Sequence, residues 1–184
     1  MRSFVYALAV GLLGAAILHI VIILMLPRFS ERDAFSRVSA LDDVHSFVAL
    51  PGTPGGPNGL ANDNPYLRTA VCTFSIGAQP ALFQAVGAVP FWSIVLYDEA
   101  SNEIFSMNDK TSVAGNLDLV VATPAQMLAL RRTTRPELEK SILVEMSGNV
   151  GYAVLRTLAP MPSLEDAARN FLAEATCDGL RPGS

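Results

Sequence analysis

The residues best suited to bind a hard cation are the oxygen-bearing groups Asn62-Asp63-Asn64 and Asn108-Asp109. Neither group has the glycine and the distal glutamate that a helix–loop–helix calcium loop requires. Asn and Asp also bond their own backbone in tight turns, so turn capping is the expectation that these spacings favour. Asp98, Glu99 and Glu145 are carboxylates of the kind used for acid–base work, but nothing in their spacing pairs them. His45 is the one histidine outside the hydrophobic opening, too little for a histidine-based triad or a zinc site. The chain contains no G-x-S-x-G, G-x-x-x-x-G-K, G-x-G-x-x-G, H-E-x-x-H or C-x-x-C. No catalytic residue, metal ligand or cofactor site is therefore assigned. Tyr66, Phe91, Trp92 and Tyr97 could line an aromatic pocket or could be core. Cys72 and Cys177 could form a disulfide in an oxidising compartment or remain two thiols.

The chain is organised around its opening run Phe4 to Leu26, which carries no charged side chain. As a helix it would reach roughly 34 Å, enough for a hydrocarbon core of about 30 Å. A lone segment satisfies its backbone in lipid only as a helix. The run is longer than a signal-peptide core, and no Ala-x-Ala site follows it, so an uncleaved anchor is expected. His19 is the histidine within it. Arg28, Arg32 and Arg37 follow the run while only Arg2 precedes it, so charge alone leaves the orientation open.

After the anchor, Ser30 reads as the cap of a separate helix in which Phe35, Val38 and Leu41 share a face. The Pro- and Gly-rich stretch 51–59 is a loop. Alternation then predicts strands at 69–76, 83–88, 91–98, 103–107, 117–122, 142–147 and 152–158, with Ala70, Cys72, Phe74 and Ile76 inward on the first. Trp92, Ile94 and Leu96 share a face of the third strand, and Glu99 to Asn102 turn it into a hairpin. Thr123 and Gln126 form a capping box for a helix to Arg132. Ser163 caps a C-terminal amphipathic helix over 164–175 whose stripe runs through Ala168, Phe171 and Leu172. Many short strands separated by turns imply a mainly β, antiparallel sandwich or barrel. The expected organisation is a tail at 1–3, a transmembrane helix at 4–26 and a juxtamembrane helix and loop at 27–64. A β-rich domain follows at 65–178, with a tail at 179–184.

The 184 residues are 51% hydrophobic, which the anchor and one ordinary domain account for. All 17 acidic residues but only 11 of the 13 basic ones follow Ser30, so that portion carries a formal charge of −6. Nucleic acid is excluded as a partner, because the basic stripe that binds it is missing. Arg131, Arg132 and Arg135 are read as a solvated helix end.

Asn62-Asp63-Asn64-Pro65-Tyr66, TAVCTFSI, PFWSIVLYD, FSMND, LDLVVATPAQ and GYAVLRTLAP together resemble the short, membrane-anchored branch of a bacterial family, domain-of-unknown-function family 1254. That resemblance implies a jelly-roll-like β-sandwich, an inner-membrane anchor and a periplasmic domain. It also implies a separately encoded partner from a second sandwich family, 1214, which longer relatives carry by fusion. The expected function is a non-enzymatic envelope module for interaction or scaffolding, contacting the bilayer through residues 4–26. The other class to weigh is a small-molecule or glycan binder, or a hydrolase without a familiar motif, using the aromatic pocket.

Overall fold

The computed structural model describes residues 1–41, 44–52, 60, 64–132 and 136–180, with backbone alone for 26–33. Helix α1 spans Arg2–Ser39 without a break. None of its first 24 residues is buried in the domain, and they are long and apolar enough to be a single membrane span or a signal sequence. The sequence expects a fresh helix capped by Ser30. The helical backbone instead continues through Pro27 and Ser30, so Ser30 lies inside one helix rather than at the start of another.

The rest is mainly β, built as two sheets. β1 (Val48–Ala49), β2 (Leu67–Ser75), β8 (Val150–Leu158), β4 (Trp92–Asp98) and β5 (Glu103–Asn108) form a five-stranded antiparallel sheet in that order. β7 (Ile142–Glu145), β6 (Leu117–Ala122), β3 (Ala81–Ala85) and β9 (Thr176–Gly179) form a four-stranded one. The chain crosses between the sheets from β2 to β3 and back from β3 to β4, so consecutive strands face one another across the core. The expectation of purely antiparallel pairing is corrected at one place: β6 and β7 run parallel. Parallel neighbours need a crossover, and α2 (Pro124–Arg132) supplies it.

Alternation fixes the core. Ala70, Cys72 and Phe74 of β2 face Phe83 of β3, with the Phe74 and Phe83 rings edge to face at 5.2 Å. Trp92, Ile94 and Leu96 are buried on the inner face of β4. Trp92 donates its indole N–H to the Gly115 carbonyl at 2.8 Å, which satisfies the one polar atom it takes inside. Gly115 sits at φ 77°, a left-handed conformation that glycine adopts without cost.

The outer face of the larger sheet is covered too. Val71, Tyr152 and Val154 pack against Phe35, Val38 and Leu41 around the end of α1. Thr69 and Thr73, outward by alternation, are nearly as buried as the core. The α2 capping box forms as the sequence implies, with reciprocal bonds between Thr123 and Gln126 of 2.9 and 3.3 Å. The last helix differs. A short helical turn, Pro162–Leu164, precedes α3 (Glu165–Ala173), so Ser163 lies within that turn and makes no cap bond. Cys72 and Cys177 are joined at 2.01 Å, linking β2 of one sheet to β9 of the other.

Candidate binding cleft

A charged residue opens the site. Arg68 has the same strand parity as Ala70, Cys72 and Phe74, so β2 aims it toward the side that is core farther along. An inward guanidinium must be paired. Arg68 Nε and Nη2 donate to Glu165 Oε1 and Oε2, both at 2.7 Å, in a bidentate fork. Its Nη1 donates to the Pro65 and Leu67 carbonyls at 2.9 and 2.7 Å. Four of its five N–H groups are thereby committed. Glu165 is the first residue of α3, where the helix dipole also favours a carboxylate.

The fork shapes the electrostatics. Hydrogen bonding to Arg68 holds the Glu165 carboxyl below its ordinary value of 4.5, outweighing a small opposing effect of burial. Arg68 is correspondingly raised, first by that same bond. The two side chains remain 28% and 31% exposed, so water screens part of the attraction.

Beside this pair the edge of the sandwich is open. β1 holds Ala49 opposite Ala70, on the inward side, and Phe47 packs toward Phe83 at 6.4 Å. α3 closes the far side through Leu172 and Ala173, while Phe171 and Ala168 anchor it in the core. The result is a cleft of about 850 Å³, apolar for most of its wall. Arg68, Glu165, Arg169, Thr69 and Asn64 contribute the polar groups. Among the described residues Arg169 is paired with Asp166, one helical turn earlier, and both are exposed, at 65% and 84%; its charge also reaches Glu165. A second hollow of about 480 Å³ lies on the other side of the Arg68–Glu165 fork, lined by Tyr66, Pro160 and Met161 among others.

The residues singled out by sequence do not converge on one place. Trp92 is sealed in the core and stacks on Phe171 at 6.4 Å, while Tyr97 points from the opposite face of the same strand. Residues 92 and 97 differ in parity, so β4 cannot present both to one cavity. Phe91 is half-buried at the strand entry, where its carbonyl accepts from Thr157, and Tyr66 is exposed. The aromatic pocket is therefore not assembled.

Asn108 caps a turn, its Oδ1 accepting from the Lys110 and Thr111 backbone N–H groups at 3.0 and 3.2 Å. Asp109 donates its backbone N–H to Trp92, and one of its carboxylate oxygens is buried with no partner among the described residues. Asn64 accepts from the Tyr66 N–H at 2.9 Å and borders the cleft. Asn62, Asp63 and Arg135 lie outside the described residues. Asp98 caps the β4–β5 hairpin through bonds to Ala100 and Asn102, far from Glu145 on the smaller sheet. His45 donates its backbone N–H to the Thr73 carbonyl at 2.8 Å, beside the larger sheet. Among the described residues no three His, Cys, Asp or Glu side chains are grouped to hold a metal ion.

Apart from Asn64, sequence reasoning passed over the residues that form the cleft. The signal for Arg68 was present, as a charge at inward parity on a strand. Leu172 was marked only as part of a helix stripe and Phe47 not at all, since their meeting depends on segments 125 residues apart in the chain.

No family model matches this chain, and no curated protein matches it. Among solved structures it is similar to an uncharacterised protein from Vibrio parahaemolyticus, with a TM-score of 0.61 and 12% identity over 86% of this chain and 39% of that one. A looser similarity links it to an uncharacterised protein from Burkholderia cenocepacia, with a TM-score of 0.40 and 19% identity over 62% of this chain and 32% of that one. This chain thus spans well under half the length of either. The first similarity shows the fold and nothing of the activity.

Proposed function

We propose that this chain is a single-pass protein of the bacterial inner membrane whose jelly-roll-like sandwich works on the periplasmic side as an interaction or scaffold module. One observation carries this reading: the apolar helix and the helix docked on the sheet are the same helix. From Met25 to Phe35 the rise is about 15 Å, so α1 would set the domain at a fixed height above the bilayer. A cleaved leader would take with it no part of the folded domain. Here the helix runs unbroken from the apolar segment to Ala34, Phe35 and Val38, which pack against the sheet, and leaves no extended stretch between the two for a peptidase to cut, which favours an anchor that stays.

The Cys72–Cys177 bond supports an oxidising compartment, since such bonds persist outside the cytosol and are rare within it. Membership of family 1254 and a separately encoded family 1214 partner remain part of this proposal, motivated by the quoted sequence stretches. The surface offered to a partner is the β5 edge, which has a strand neighbour on one side only. Its unpaired N–H and C=O groups suit strand addition.

Two measurements test the reading. A reporter enzyme fused after Ser184 that folds only outside the cytoplasm should be active, and activity confined to a cytoplasmic reporter would overturn the location. Full-length protein purified at native abundance in mild detergent should bring a stoichiometric second sandwich protein with it. Repeated recovery as a single well-behaved species would overturn the scaffold role.

A further inference from the structure

The cleft beside Arg68 has no assigned occupant, and we infer that it binds a small amphipathic carboxylate. Its apolar body would lie against Phe47, Ala49, Leu172 and Ala173, and its carboxylate would sit on Arg169. This goes beyond the scaffold reading and would stand if the scaffold role failed.

Size and wall chemistry come first. About 850 Å³ falls within the range of clefts that enclose small organic ligands, and the wall is mostly alkyl and aromatic with a few polar groups, as such sites require. A sugar would bury hydroxyls against that wall without enough partners. The charge of the ligand follows from the three ionic residues on the lining. Among the described residues of the lining, Arg68 and Arg169 face the Glu165 carboxylate, and Asp166 just outside the lining balances Arg169, so a ligand carboxylate would have to take the place of Asp166.

The two arginines are not equivalent. Arg68 is spent on the Glu165 fork and on two carbonyls. Among the described residues Arg169 has one ion pair, to exposed Asp166 at a spacing of three residues, among the weakest kinds, and it also attracts Glu165 at longer range. An incoming carboxylate can replace Asp166 and gain the planar two-point contact that guanidinium offers.

Position argues for a soluble ligand rather than a lipid. Phe35 and Ser36 of α1 share a hollow with Glu99 and Ala100 of the β4–β5 hairpin. The next residue back, Asp98, lies opposite Gly151, which in turn lies opposite Phe74. The membrane-bearing helix therefore meets the sandwich at the Phe74 end of β2. Arg68 is six residues up that strand, roughly 20 Å away. The cleft opens at the far end, away from the bilayer if α1 is the anchor proposed above.

The test uses the full-length chain in lipid nanodiscs with naphthylacetate and its uncharged counterpart naphthylacetamide, followed by ligand fluorescence against empty nanodiscs. Naphthylacetate is expected to bind about tenfold more tightly than the amide. Arg169→Gln should remove that tenfold preference and leave amide binding unchanged. Ala173→Trp, at an exposed cleft position, should abolish binding of both while thermal unfolding stays as in the parent. Equal affinity for acid and amide, binding that survives Ala173→Trp, or no binding of either probe beyond the lipid control would each overturn the inference.

Discussion

Tyr152 of β8 stacks on Tyr97 of β4 with ring centroids 4.9 Å apart and planes 16° from parallel, and Phe35 of α1 leans on Tyr152 at 6.3 Å. This three-ring cluster is the joint between the long helix and the sandwich. Phe35→Ala should remove the helix side of the joint and lower stability by about 2 kcal/mol. Denaturant unfolding of the full chain in nanodiscs, followed by tyrosine fluorescence, would measure it. An unchanged midpoint would mean that α1 is not held by the sheet.

The Arg68–Glu165 fork should show a coupling of about 1 kcal/mol in a double-mutant cycle with Arg68→Gln and Glu165→Gln. The sign of its pH dependence follows from Glu165, whose carboxyl is held below 4.5 by Arg68. A depressed carboxyl stabilises the fold above its unfolded value and loses that effect as the pH falls through its folded value. The stability gap between the parent and Glu165→Gln should therefore be full at neutral pH and close below about pH 4.5. A gap that widens in acid would contradict the pairing.

A Cβ on Gly151 would lie 2.3 Å from the Tyr97 carbonyl oxygen and 2.9 Å from the Phe74 ring. Backbone and buried ring can yield little, so Gly151→Ala should cost about 2 kcal/mol or more. Gly77→Ala is the control, since its Cβ would meet nothing nearer than 3.9 Å. Equal melting temperatures for the two variants would show that β8 and β4 approach less closely.

The Cys72–Cys177 bond closes a span of 105 residues and ties the two sheets together. Replacing both cysteines with alanine should cost about 2–5 kcal/mol. Both residues are buried, so reduction in the folded state should be slow and should accelerate in denaturant. Thiol labelling of the native protein without reductant that modifies both cysteines would refute the bond.

Much of the architecture was legible because it depends on near neighbours. Period-two alternation placed Cys72, Phe74, Trp92 and Leu96 on inner faces, and the strand at 117–122 has those bounds in the structure. Thr123 and Gln126 announced their capping box, because its partners are three residues apart. β1 and β9 were not legible. Two and four residues long, they have too few positions to show a period, and pairing with β2 and β3 is what makes them strands.

By itself, then, the sequence determined an apolar helix, a set of strands and the side of each strand that must be buried, since these follow from local periodicity and capping. Tertiary structure decided the parallel β6–β7 pairing, the single run of α1 onto the outer sheet, and the cleft between β1 and α3. Arg68 marks the boundary between the two. Its inward parity demanded a partner, but only packing distant segments together could choose Glu165, 97 residues away. Hydrogen bonds and burial act through space, and no spacing along the chain encodes which remote surfaces will meet.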